Sequence, residues 1–189
     1  MPQPIRLTAV GRIQWLALLT LGLAGLFVTG RVVRSWQKSD GIFFAPGPNF
    51  WELRCPGNYS AVLVKLAELL PPGLTLFVEG THTAPFIAAY LEARKAEEST
   101  DVRSGTIWPR SKSFHMPLTQ ENIAGLADLM DRVAEPEVGD HLHAYKGTTP
   151  YLIWYDALSE APMYLRKDIP EEAVLSLCQS LGCEYSASK

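Results

Sequence analysis

The sequence lacks the short motifs that announce a catalytic centre. It has no GxSxG elbow, no HExxH, no P-loop and no GxGxxG. The motif-borne routes to a serine hydrolase, a zincin, a nucleotide-phosphate cradle and a dinucleotide fold are therefore absent. Cysteine is scarce too. Cys55, Cys178 and Cys183 form no CxxC pair, which leaves zinc-ribbon and thioredoxin-like readings without their spacing. In an oxidising compartment Cys183 can bond Cys55 or Cys178; the expectation taken here is three ordinary, partly buried thiols. No internal repeat or low-complexity segment is present.

Positive charge is sparse where a polyanion would need it. Residues 1–40 hold five basic side chains against one acidic, and residues 41–189 hold twelve against nineteen. The larger part therefore carries a balance of −7 within a total of −3. A domain of that sign repels a phosphate backbone, and no basic stripe or RNA-binding signature offsets it, so no nucleic-acid partner is expected.

One apolar run stands out. IQWLALLTLGLAGLFVTG, Ile13–Gly30, contains no charged residue. As a helix it would be about 27 Å long, close to the ~30 Å hydrocarbon core of a bilayer. Val32 and Val33 extend it if Arg31 snorkels, and Trp15 and Trp36 flank it at interfacial depth. A cleaved signal peptide is the rival reading, with Arg6 and Arg12 as its charged region and Trp15–Val28 as its apolar region. The basic, bulky TGRVVRSWQKSD that follows offers no small-x-small cleavage site, which favours an uncleaved signal-anchor. Gly25 and Thr29 have small-xxx-small spacing, a weak pointer to helix pairing. The expected organisation is a tail at 1–12, a single transmembrane anchor at 13–33 with the lipid bilayer as partner, a tether at 34–40 and a soluble domain at 41–189. Basic residues nearly balance across the run, so the positive-inside rule is almost silent on orientation. A short charged tail is easier to retain than to translocate, which tips the expectation toward residues 41–189 lying outside the cytoplasm.

Within that domain, helices alternate with strands and then strands run together. Gly41–Ala45 reads as a short strand, and Phe50 and Trp51 as anchors of an ordered loop. Val62, Leu63, Leu66, Leu69 and Leu70 fall at helical spacing, capped by Asn58 or Ser60 and stopped by Pro71-Pro72-Gly73. Leu74–Val78 reads as an interior strand, followed by a helix over 84–97 with Thr83 as its cap. Thr106–Trp108 and Lys112–Met116 read as short strands, and Thr119 caps a helix with Ile123, Leu126, Leu129, Met130 and Val133 inward. His141–Lys146, Tyr151–Asp156 and Met163–Arg166 are joined by short turns and read as an antiparallel meander. A last helix follows, capped by Asp168 and ended by Gly182. The order predicts an α+β fold: a two-layer sandwich of about four helices on a mixed, largely antiparallel sheet.

Two places are candidates for chemistry. FVEGTHTAP puts Glu79 and His82 at the carboxyl end of a strand, just before a helix, where ligand sites in such sheets collect. Glu79 suits a general base and His82 an acid, with Thr81, Thr83 and nearby N–H groups as a place for an anion. The alternative is a well-made helix start with both side chains solvated. The second place is His141-Leu142-His143, whose imidazoles share one face of a strand and could grip a metal such as zinc. A third ligand would have to come from Glu79, His82, His115 or Asp140. Tyr151, Trp154, Tyr155 and Tyr164 crowd the meander, as core or as a stacking platform.

The expected function is a single-pass membrane protein that presents an acidic α+β domain for binding or interaction, with no cofactor and no catalysis. The alternative is a membrane-tethered hydrolase or metal-dependent enzyme using Glu79 and His82 with His141 and His143. The enzyme requires Glu79 or His82 within a few ångströms of His141 or His143 in one cleft; the binding reading expects scattered histidines and an exposed aromatic or acidic face.

Overall fold

The computed structural model describes residues 41–106 and 108–188. The tail, the transmembrane anchor, the tether and the Gly25/Thr29 pair all lie outside these residues. Among the described residues, no helix is long and apolar enough to cross a membrane.

The described residues form an α+β domain. Seven strands make one sheet: β1 Phe50–Arg54, β2 Thr75–Gly80, β3 Lys112–Pro117, β4 His141–Lys146, β5 Thr149–Trp154, β6 Met163–Arg166 and β7 Glu184–Ala187. Their order is β3-β2-β4-β5-β6-β1-β7, and every pairing is antiparallel. Four α-helices join them: α1 Tyr59–Leu69, α2 Pro85–Ala93, α3 Gln120–Met130 and α4 Glu171–Leu181. The expected mixed sheet is corrected to an antiparallel one; the parallel pairing present is an isolated bridge between Ile42 and Val102.

Strand alternation sends each sheet residue to one of two differently covered faces. On one face, Leu76, Val78, Leu142, Leu152, Trp154 and Leu165 meet the inward stripes of all four helices, among them Leu66, Ile87, Ile123 and Val174. Burial of these side chains is the main stabilising term, at roughly 1.5–3 kcal/mol for each large aliphatic or aromatic group. The opposite face carries Phe77, Tyr145 and Ile153, which pack with Phe44 and Phe50 and with the partly buried Ile42, Val102, Tyr155 and Tyr164. Phe44, Ile42 and Val102 belong to no strand, so irregular chain covers this second face. Trp154 and Tyr155 divide between the two faces as alternation requires.

Several local expectations are corrected. Gly41–Ala45 forms only the single bridge at Ile42, whereas Phe50 and Trp51 begin β1. Thr106 and Trp108 lie in a loop. Helix α2 starts after Ala84 with Pro85 in its first turn, and its N-cap makes no side-chain hydrogen bond. Thr83 Oγ1 is instead buried without a partner. Helix α4 starts after Pro170, leaving Asp168 outside to pair with Arg166. The caps at Asn58 and Thr119 and the left-handed stop at Gly182 are present as read.

The expectation of three thiols is also corrected. Cys55, just past β1, is bonded to Cys183, just before β7, across 128 residues of sequence. The bond closes the end of the β1–β7 pair, next to the facing residues Arg54 and Glu184. It ties down a four-residue edge strand that buries none of its side chains fully. Cys178 is a buried free thiol whose pKa is raised by burial. Cross-linking so long a loop restricts the unfolded chain and contributes about 3–5 kcal/mol. Cys55→Ser is therefore expected to lower unfolding free energy by that amount, read by urea titration under non-reducing conditions. A loss below about 1 kcal/mol would contradict the assignment.

Candidate functional site

Strand β2 ends at the corner the sequence singles out, and the register sets its neighbours. Glu79 faces His141 across the β2–β4 pair, and Phe77 faces His143. On the other side Phe77 faces His115 and Glu79 faces Ser113. Glu79, His141 and His143 are therefore adjacent on the sheet face that lacks helices. All three are buried, Glu79 and His143 with 0% exposure.

A carboxylate held there needs donors, because an unpaired buried charge costs several kcal/mol. The donors come from the segment between α2 and β3. Glu79 Oε2 accepts from the Gly105 N–H at 2.8 Å. Its Oε1 accepts from the Thr106 N–H at 3.0 Å and from the Ser111 hydroxyl at 2.7 Å. The loop is thus laid over the carboxylate at both of its ends. Its close approach requires glycine: a Cβ at Gly105 would lie 2.6 Å from His141 Cδ2 and 3.0 Å from Tyr155 Cε1.

The histidines are committed in a similar way. His141 Nδ1 accepts from the Asp156 N–H at 3.0 Å, and its Nε2 lies 3.2 Å from Thr106 Oγ1. His143 Nδ1 accepts from the Trp154 N–H at 3.2 Å, which leaves the proton of a neutral ring on Nε2. That atom is buried and has no hydrogen-bond partner. Around the ring stand Phe77, stacked at 5.6 Å, and Tyr155 and Phe44, edge-on at 4.6 and 5.8 Å. Burial first, and then the neighbouring His141, lower the His143 pKa to about 3. His115 Nδ1 lies 2.8 Å from Tyr145 Oη, which accepts from the Thr100 N–H at 3.1 Å. Burial lowers the His115 pKa as well. Tyr155 donates to the Phe44 carbonyl at 2.8 Å. Burial, followed by the Glu79 charge, pushes its pKa up to about 12.

The remaining candidates are not drawn into this cluster. His82 is exposed on the turn, with Nδ1 2.9 Å from Thr81 Oγ1. The Thr81 N–H donates to Asp140 Oδ2 at 2.7 Å. The Asp140 N–H in turn donates to the Glu79 carbonyl at 2.6 Å. Thr83 Oγ1 sits against Gly80, where any side chain would collide with it. Among the described residues, no group of three or more His, Cys, Asp or Glu side chains is placed to hold a metal ion.

The structure thus joins Glu79 to the His141/His143 pair and leaves His82 apart. Sequence reasoning missed Gly105, Thr106, Ser111 and Asp156, which are the partners of those groups. Nothing local in RSGT or RSKS marks them, because the pairing spans 26 to 32 residues of chain. Comparison with protein-family models, curated proteins and solved structures finds no match to this chain.

Two outcomes follow from the geometry. Glu79→Ala leaves three donors without their acceptor and should cost about 3 kcal/mol of unfolding free energy. Glu79→Gln retains one acceptor oxygen and should cost less; equal stability of Glu79→Ala and wild type in urea would contradict the anchoring role. The second outcome concerns pH. His143 resists protonation in the folded state down to about pH 3, whereas the unfolded chain takes up that proton near pH 6.5. The unfolded state therefore binds more protons between these values, and stability falls as pH drops through the window. His115 acts in the same direction. The His143 contribution to the slope is about 1.4 kcal/mol per pH unit. His143→Phe should flatten the profile between pH 6 and 4 by about one proton, and an unchanged slope would contradict the assignment.

Proposed function

We propose that this chain is a single-pass membrane protein anchored through residues 13–33, which presents an acidic α+β domain outside the cytoplasm for binding or interaction. The observation that carries the absence of catalysis is the state of Glu79. The best-placed base of the sequence is buried, and its oxygens are taken up by Gly105, Thr106 and Ser111. A general base must reach a substrate proton, and this carboxylate faces its own loop. The membrane half of the reading is supported by the uncharged run Ile13–Gly30. The Cys55–Cys183 bond supports the side of the membrane, because such bonds persist in oxidising compartments.

A second reading, the membrane-tethered hydrolase or metal-dependent enzyme, has one observation in its favour: Glu79 and His141 are direct cross-strand neighbours. It requires the 105–111 loop to lift and a further ligand to arrive. Metal analysis separates the two readings. The purified full chain is expected to hold no stoichiometric zinc, and zinc should leave the stability of wild type and His141→Ala/His143→Ala equally unchanged. Stoichiometric metal that is lost in the double variant would overturn the binding reading and favour the enzyme.

A further inference from the structure

The loop pinned by Glu79 carries the most exposed large apolar side chain among the described residues. Trp108 is 76% exposed, between the anchor points at Thr106 and Ser111. The ten residues RSGTIWPRSK, 103–112, contain Arg103, Arg110 and Lys112 and no carboxylate, in a domain whose overall balance is −7. Phe43, 55% exposed, continues this rim. It stacks on Tyr155 at 5.9 Å, with the Arg103 guanidinium 5.9 Å from its ring. Upstream, Glu97, Glu98 and Asp101 carry the opposing charge.

The rim lies where the chain enters the domain. The Ile42 N–H donates to the Asp101 carbonyl at 2.8 Å, and the Arg103 N–H donates to the Ile42 carbonyl at 2.9 Å. Arg103 is therefore fastened to the second described residue of the chain. Between the predicted anchor and the first described residue, Gly41, stand only seven residues, 34–40. Fully extended, they span at most about 25 Å. Two features of the rim match a headgroup layer: an indole suits the membrane interface, and clustered Arg and Lys suit anionic lipid.

We infer that the rim formed by Phe43, Arg103, Trp108, Arg110 and Lys112 is a docking surface for the anionic headgroups of the bilayer that holds the chain's own anchor. The inference rests on the anchor reading given under Proposed function. Glu79 then has a role at a distance: it fixes both ends of the loop whose tip enters the interface.

The test uses the full chain reconstituted in vesicles of brominated phosphatidylcholine with roughly one-third phosphatidylglycerol, an anionic fraction chosen to give the surface potential that attracts basic side chains. Alkaline carbonate extraction reports insertion of the anchor, and tryptophan quenching reports contact of the rim. Trp108→Phe removes the signal of interest from an exposed position, so folding should be unaffected. The expected result is carbonate resistance together with a quenched component that Trp108→Phe abolishes. Arg103→Gln/Arg110→Gln/Lys112→Gln should weaken that component severalfold, as should high salt. Carbonate resistance with a Trp108 component that bromine does not quench would overturn the docking surface and leave the anchor standing. Quenching indifferent to lipid charge, to salt and to the triple variant would overturn the anionic specificity. Carbonate release of the wild type would overturn the anchor and the docking surface together.

Discussion

The organisation of the second sheet face depends on one buried carboxylate. Glu79 sits with no exposed surface at the end of β2. A charge in that position is tolerable only if the protein supplies donors in place of water. Two backbone N–H groups and one hydroxyl do so, and all three come from residues 105–111. Supplying them determines the path of the loop. Gly105 must pass close to His141 and Tyr155, and Thr106 must approach His141 Nε2. The segment Trp108–Arg110 is left as the tip between the two anchor points.

The same economy appears along the rest of this face. Apolar packing of helices onto a sheet uses interchangeable, non-directional contacts. The opposite face is covered by irregular chain, whose backbone groups need individual partners. Side chains provide several: His141 accepts the N–H group of Asp156, Tyr145 that of Thr100, and Asp140 that of Thr81. Glu79 and His141, two of the residues that look like chemistry in the sequence, thus hold loop backbone to strands, whereas His82 stays apart on its turn. His143 contributes differently, through Nδ1 to the Trp154 N–H of β5 and through its stacked ring, and its buried Nε2 has no partner.

Legibility in the sequence follows the range of the interactions. Helix α1 was readable because Val62, Leu63 and Leu66 repeat at its period, and the β4–β5–β6 meander because its turns are short. Both depend on neighbours in sequence. Strand β7 was not readable: its residues are exposed or half-buried, and it is held by pairing with β1 and by a disulfide closed across 128 residues. Strand β1 was hidden because the Pro- and Gly-rich chain before it made Phe50 and Trp51 look like loop anchors. Thr106–Trp108 has the β-branched and aromatic composition of a strand, yet the Glu79 carboxylate takes the Thr106 N–H that a ladder would use. In the site, the shared face of His141 and His143 was legible from strand alternation. The pairing with Glu79 was not, since register between β2 and β4 is a tertiary property.

The central claim is that Glu79 works as a loop anchor, and amide hydrogen exchange at Gly105 and Thr106 tests it most directly. These two N–H groups belong to no strand or helix, and their acceptor is the Glu79 carboxylate. At neutral pH they are expected to exchange as slowly as the paired amides of β2 and β4, opening only with the domain. Exchange at the rate of an unprotected loop would contradict the account and leave the Glu79 carboxylate free for chemistry.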